Sequence, residues 1–266
     1  MKLGVISDIH LDINEQYPII ELLKEEIERR ELEGIVLAGD IANGPEKTIP
    51  YLEKMRSCFS VPLWFVPGNH DMWDVNKTFE NSWKIYYAYE NEEGCLCNHP
   101  VTIGSSVLIG NIGWYDYSFG ETKYTFSDFK KKTYHDRMWQ DSIYMHWEEE
   151  DQDLAENLRT ELKHFITANQ GKRIVSVTHM IGIPELKVPL SRKDWDYFNA
   201  FLGSKKLGEM YEKEGVSTAI MGHVHYRTRL QKNNVDYVCA CLNYHTEWET
   251  KNPQKEISQA LQEIIL

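Results

Sequence analysis

The chain has 266 residues, 42% of them hydrophobic and 26% charged, which suits one large soluble α/β domain. Its 29 Lys and Arg against 41 Asp and Glu give a formal charge of −12, which argues against nucleic acid or anionic membrane as a partner, since both need basic patches. No run approaches the roughly 18 apolar residues of a membrane helix, the first apolar stretch stops at Asp8 without forming a signal peptide, and five cysteines without framework spacing fit a reducing, cytoplasmic setting.

Lys2 to Ser7 reads as a buried strand ending in Asp8-Ile9-His10. If the chain stays extended there, both side chains point to one side. Pro18 to Glu31 is an amphipathic helix with Ile19, Ile20, Leu23 and Ile27 as its stripe. Gly34 to Ala38 is a second strand, closed by Gly39-Asp40, and a helix follows from Gly44-Pro45 to Cys58. Val61 to Val66 is a third strand, halted by Pro67-Gly68, so Asn69, His70 and Asp71 fall on a sharp loop at its tip. This β-α-β-α-β run predicts parallel strands joined by crossovers.

A single domain is expected over 1–266, with an aromatic-rich rim or insertion around 72–147. Trp73, Trp83, Tyr86, Tyr87 and Tyr89 suggest an aromatic helix or lid, and Val101 to Ile109 a strand pair about Gly104-Ser105. The polar-aromatic section that follows is either surface-packed irregular structure or a substrate-facing rim bearing Trp73, Trp114, Tyr115 and Tyr117. Cys95-x-Cys97 near His99 is either a soft-metal site or a pair of free thiols in a loop. Glu148 to Asn169 is a helix whose acidic start complements its dipole. Arg173 to Val177 is a strand stopping at Thr178-His179, and Tyr197 to Glu214 is helical with a break near Gly203 or Gly208. Thr218 to Met221 is a strand closed by Gly222-His223-Val224-His225. Val235 to Leu242 is a further strand with Cys239 and Cys241 on one face, and Glu256 to Ile265 a final amphipathic helix.

Five apolar runs thus end in polar tips: Asp8 and His10, Asp40, Asn69 and His70, His179, and His223 and His225. If the runs are strands of one sandwich, the tips converge. Carboxylate, amide and imidazole donors gathered there suit divalent transition metals better than Ca or Mg. His99, His135, His146, His164 and His245 end no such run and are set aside.

The motif order Asp8-x-His10, Gly39-Asp40, Gly68-Asn69-His70-Asp71, His179 and Gly222-His223-x-His225 resembles the complete set of the calcineurin-like metallophosphoesterases. The resemblance implies an α/β fold, a four-layer α/β/β/α sandwich. It also implies a two-metal site (Mn, Fe, Zn or a mixture) that hydrolyses a phosphate ester by attack of a metal-bridging hydroxide. Asp8, His10 and His225 would hold one metal, and Asn69, His179 and His223 the other, with Asp40 bridging. His70 would be the catalytic histidine and Asp71 the support of its loop. No arginine follows Asp40 and Asp71 follows His70, which is more similar to small bacterial phosphodiesterase-type members than to protein phosphatases. A small phosphodiester or phosphomonoester is the expected substrate, the diester slightly favoured. A non-catalytic scaffold or a nuclease on the same fold are the alternatives; the natural substrate and oligomeric state stay open.

Overall fold

The computed structural model describes residues 1–266. The expected opening run is β1 (Lys2–Ile6), α1 (Ile19–Arg29), β2 (Gly34–Ala38), α2 (Pro45–Cys58) and β3 (Leu63–Val66). Its strands pair in parallel, β1 with β2 and β2 with β3. α1 forms because Ile19, Ile20, Leu23 and Ile27 return to one face and bury there. α2 begins at Pro45, whose fixed φ suits a first helical turn. Next come α3 (Ser82–Glu90), with Asn81 as its cap, and the antiparallel pair β4 (Val101–Ile103) and β5 (Ser106–Asn111). Short pieces follow: α4 (Phe126–Lys130), β6 (Thr133–Tyr134), β7 (Arg137–Met138) and α5 (Asp141–Tyr144). The chain continues through α6 (Asp151–Ala168), β8 (Arg173–Thr178), α7 (Trp195–Phe198), α8 (Lys205–Glu214) and β9 (Thr218–Met221). It closes with β10 (Arg227–Lys232), β11 (Val235–Ala240), α9 (Pro253–Ala260) and β12 (Gln262–Ile265). No helix is long and apolar enough to cross a membrane.

One sheet runs β12-β1-β2-β3 and the other β10-β11-β9-β8-β5-β4. α1 packs with α2 and α9 on the first sheet, and α6 packs with β5 and α8 on the second, giving the α/β/β/α order. Burial on both faces of the second sheet explains why its inner strands β5, β8, β9 and β11 read as largely apolar runs. Leu108, Val175, Val177, Val238 and Ala240 join the core shared with the first sheet. Their neighbours Val107, Ile109, Ile174, Tyr237 and Cys239 join a separate core beneath α6 and α8. Backbone bridges Ser7–Cys241, Phe65–Cys95 and Cys97–Gly110 stitch the two sheets.

Several expectations change. The last segment is not one helix: α9 ends at Ala260, and β12 pairs antiparallel with β1, Ile264 opposite Leu3. β10, unexpected from its charged pattern, pairs along β11. The helix expected over 197–214 breaks at Gly203, whose φ of 152° and approach to Ile181 O leave no room for a side chain. Cys95 and Cys97 lie buried between the sheets, not in an open loop, and both thiols are free.

Candidate metal centre

Parallel strands deliver their carboxyl ends to one edge, which is where α/β proteins bind ligands. β1, β2, β3, β8 and β9 release Asp8, Asp40, Asn69, His179 and His223 there. The extended chain expected over Asp8-x-His10 is not what forms. Asp8, His10, Asp40, His223 and His225 all have positive φ, between 39° and 71°. A non-glycine residue in that region costs on the order of 1–3 kcal/mol. Five at one site mark a place where surrounding structure forces side chains inward. The motif glycines give them room. A Cβ on Gly68 would lie 2.1 Å from Asp40 Oδ1, and one on Gly222 2.6 Å from Asp8 Oδ2.

Three overlapping groups have ligand atoms within 4.8 Å of one another: Asp8, His10 and His225; His10, Asp40 and His70; and Asp40, His179 and His223. Asp40 Oδ2 is 3.3 Å from His179 Nε2, 3.7 Å from His10 Nε2 and 3.9 Å from His70 Nε2. His225 Nε2 is 3.6 Å from Asp8 Oδ1. Asn69 Oδ1 is 3.0 Å from His179 Nε2, which is itself 3.2 Å from His223 Nδ1. The five histidines set aside from the sequence lie in none of these groups.

The outward nitrogens are anchored, which orients the inward ones. His179 Nδ1–H donates to the Ala38 carbonyl (2.8 Å), His223 Nε2–H to the Phe201 carbonyl (3.2 Å) and His225 Nδ1–H to Glu247 Oε2 (2.6 Å). His70 Nδ1–H donates to Asn43 Oδ1 (2.7 Å), and its ring lies against Trp73 at 3.7 Å. Asp141, buried, accepts on one oxygen from Asn69 Nδ2 (2.8 Å) and Trp73 Nε1 (2.9 Å) and on the other from Trp139 Nε1 (2.8 Å). The Asn69 bond turns the amide so that its oxygen faces the cluster. Asp71 lies behind the loop: it accepts from the N–H groups of Ile41, Ala42 and Gly68 and from Thr48 Oγ1. It therefore ties the β2 and β3 tips together and does not reach the cluster.

The residues fit divalent cations. His10 is fully buried, yet neither ring nitrogen has a protein partner, a state that costs about 1–3 kcal/mol per group unless a ligand is bound. His179 Nε2 and His223 Nδ1 both turn inward, 3.2 Å apart, where a cation would take the place of the proton on His179. Burial, with repulsion from His70, holds His10 well below the usual histidine range. Burial, reinforced by His179, pushes His223 down to about 3. Burial also lowers His70 against the attraction of Asp40. These rings are neutral, the form that binds metal. Burial opposes the Asp40 charge, but His179 and His70 outweigh it and hold the carboxyl well below the usual range. Burial likewise opposes a charge on His179, which Asp40 nevertheless raises to about 10. In the metal-free protein a proton thus occupies His179 beside Asp40.

The cluster floors a cavity of about 340 Å³ walled by Trp73, Trp139, Trp195 and Tyr244, with Arg137 and Arg192 at its mouth. The calcineurin-like phosphoesterase profile matches residues 1–227, from β1 to the start of β10. The chain belongs to the calcineurin-like phosphoesterase family. Phosphoesterases of this family use a dinuclear metal centre, and the chain is accordingly a hydrolase of phosphate esters. The [acyl-carrier-protein] phosphodiesterase PptH of Mycobacterium tuberculosis is similar, 22% identical over 277 residues that span 97% of this chain and 83% of that protein. The crystal structure of the phosphopantetheinyl hydrolase PptH superposes with a TM-score of 0.77 at 18% identity, covering 99% of this chain and 95% of that one. A protein of Thermus thermophilus, TT1561, gives a TM-score of 0.55 at 9% identity, covering 98% and 97%. A dimetal phosphatase from Danio rerio gives 0.52 at 12%, covering 90% and 86%. At these identities the likeness of the solved structures is one of fold.

Some phosphoesterase site residues escaped the sequence reading. Trp114, Tyr115 and Tyr117, read as one form of a substrate-facing rim, are buried in the core, and of that group only Trp73 lines the cavity. Tyr244, whose hydroxyl is 3.5 Å from His70 Nε2, follows β11 as a further polar strand tip. The rule that found the other five would have found it too. Asn43 is the polar residue in the otherwise apolar Ile41-Ala42-Asn43 turn. Asp141 and Glu247 carry no local signal, because the site residues they hold, Asn69, Trp73 and His225, lie 72, 68 and 22 residues away.

Proposed function

We propose that this phosphoesterase hydrolyses phosphodiesters in preference to monoesters, at a centre of two Mn, Fe or Zn ions. Asp8, His10 and His225 would hold one cation, Asn69, His179 and His223 the other, and Asp40 both. Fully buried His10, with both nitrogens unpartnered in the middle of the overlapping groups, is the observation that carries this reading. Bound cations would supply Lewis acidity toward the phosphoryl oxygens and lower the pKa of a water. His70 stands at the cavity wall, its Nδ1 held by Asn43 and its face by Trp73, so Nε2 faces the cluster, 3.9 Å from Asp40 Oδ2. When protonated there, its Nε2–H would donate to the leaving oxygen. Tyr244 adds a hydroxyl beside it.

The cavity supports the diester preference, since its aromatic wall continues past the cluster and has room for a second ester arm. Likeness to PptH makes an acyl-carrier-protein phosphodiester the first natural candidate. A cytoplasmic setting rests on the odd, unpaired cysteine count. The test is chelation, reconstitution with Mn²⁺, and comparison of bis-p-nitrophenyl phosphate with p-nitrophenyl phosphate. A higher kcat/KM for the diester is expected. A protein that binds two cations and turns over neither ester would sink the proposal.

A further inference from the structure

Two arginines at the mouth of the cavity have no part in the chemistry above. The chain has nine arginines, and six lie within ion-pair distance of a carboxylate. Of the other three, Arg173 donates to the Ile265 carbonyl on the far edge of the fold. The remaining two, Arg137 and Arg192, both line the metal-site cavity. In a chain with 41 acidic side chains and 29 basic ones, charge alone would pair them. The nearby carboxylates are engaged elsewhere: Glu247 with His225 (2.6 Å), Asp194 with His135 (2.9 Å) and Glu185 with Lys232 (2.9 Å). Glu249, which borders the adjoining cleft with Arg192, is the one acid there without such a partner. The Arg137 guanidinium lies 4.6 Å from the Phe198 ring centre and 5.9 Å from that of Trp195. Its Nη1 reaches the Lys193 carbonyl at 3.5 Å, and the ring packing fixes its plane and leaves its other N–H groups for an anion.

The reacting phosphoryl group belongs to the cluster at the cavity floor, so these guanidiniums face another part of the substrate. We infer that Arg137 and Arg192 bind a second anionic group, a phosphate or carboxylate, on an arm of the diester that does not react. This rests on the phosphodiesterase reading. A guanidinium matches either anion with two parallel N–H donors, and the tryptophans between mouth and floor give the arm an apolar path.

The test uses two p-nitrophenyl diesters with the same leaving group, one with a neutral phenyl arm and one with an arm ending in a carboxylate or phosphate. Wild type is expected to show the lower KM for the charged arm, with an advantage that shrinks as salt rises. In Arg137→Ala and in Arg192→Ala the charged-to-neutral KM ratio should rise about tenfold, and in the double variant more, as for loss of a charge-assisted hydrogen bond. A wild-type ratio near one, or a ratio unchanged in the double variant, overturns the inference while the neutral diester is still hydrolysed. Turnover of neither diester overturns the phosphodiesterase reading and this inference with it.

Discussion

Around Asn69, His179 and His223, outward donors meet buried acceptors: Asp141 and the carbonyls of Ala38 and Phe201. Around Asp8, His10 and His225 the rings are held more loosely: Asp8 accepts from the His223 N–H, but neither His10 nitrogen has a hydrogen-bond partner and His225 leans on Glu247, whose side chain is 43% exposed. A backbone carbonyl inside the sandwich cannot retreat without opening the fold, whereas a surface carboxylate can swing into water. Under the proposed assignment the Asn69 side would retain its cation and the Asp8 side would exchange it.

The largest effect should come from joining the two sides. Asp40→Ala is expected to lose both cations and all measurable turnover, and metal analysis that finds one cation retained would show the sides to be independent. Next is His70→Ala, expected to keep two cations while kcat falls about 10²–10⁴-fold, as for loss of a general acid. Asp141→Ala and Glu247→Ala divide the sides. Each should weaken one binding phase of a Mn²⁺ titration by about 10–100-fold, the retained phase in the first variant and the exchangeable one in the second. If both weaken the same phase, the contrast fails.

Protons probe the same contrast. With His179 raised to about 10 in the free protein, loading the Asn69 side at pH 7 should release about one proton. Its affinity should then fall about tenfold per pH unit below pH 9, measurable by calorimetry in buffers of different ionisation enthalpy. Because the folded value of His179 lies above the unfolded one, its ion pair with Asp40 stabilises the metal-free fold fully below pH about 6.5. That contribution disappears as pH rises through about 10. Tyr244→Phe has the smallest expected effect, a fall in kcat of about tenfold or less, seen best with a poor leaving group.

The strand tips were legible because a buried parallel strand is a short apolar run and its carboxyl end is where polarity returns. β12 was not, because the pairing that holds Gln262 to Ile265 is with β1 at the other end of the chain. A mean spacing of helix type over 256–265 gives no hint of that partner. The aromatic section misled for a related reason. Trp114 and Tyr117 have polar ends that read as surface, but Asp151 accepts from both while their rings are buried. Asp141 is invisible to any local pattern, since Asn69 and Trp73 reach it from 72 and 68 residues away.

Gly68 and Gly222 bind nothing, yet a single added methyl on either would collide with a carboxylate of the cluster. In a scan of every substitution for lost activity they should therefore be indistinguishable from the candidate ligands they sit beside. Intolerance at this site measures lack of slack as much as chemistry. Only cation stoichiometry, read variant by variant, can tell a residue that grips the metal from one that makes room for it.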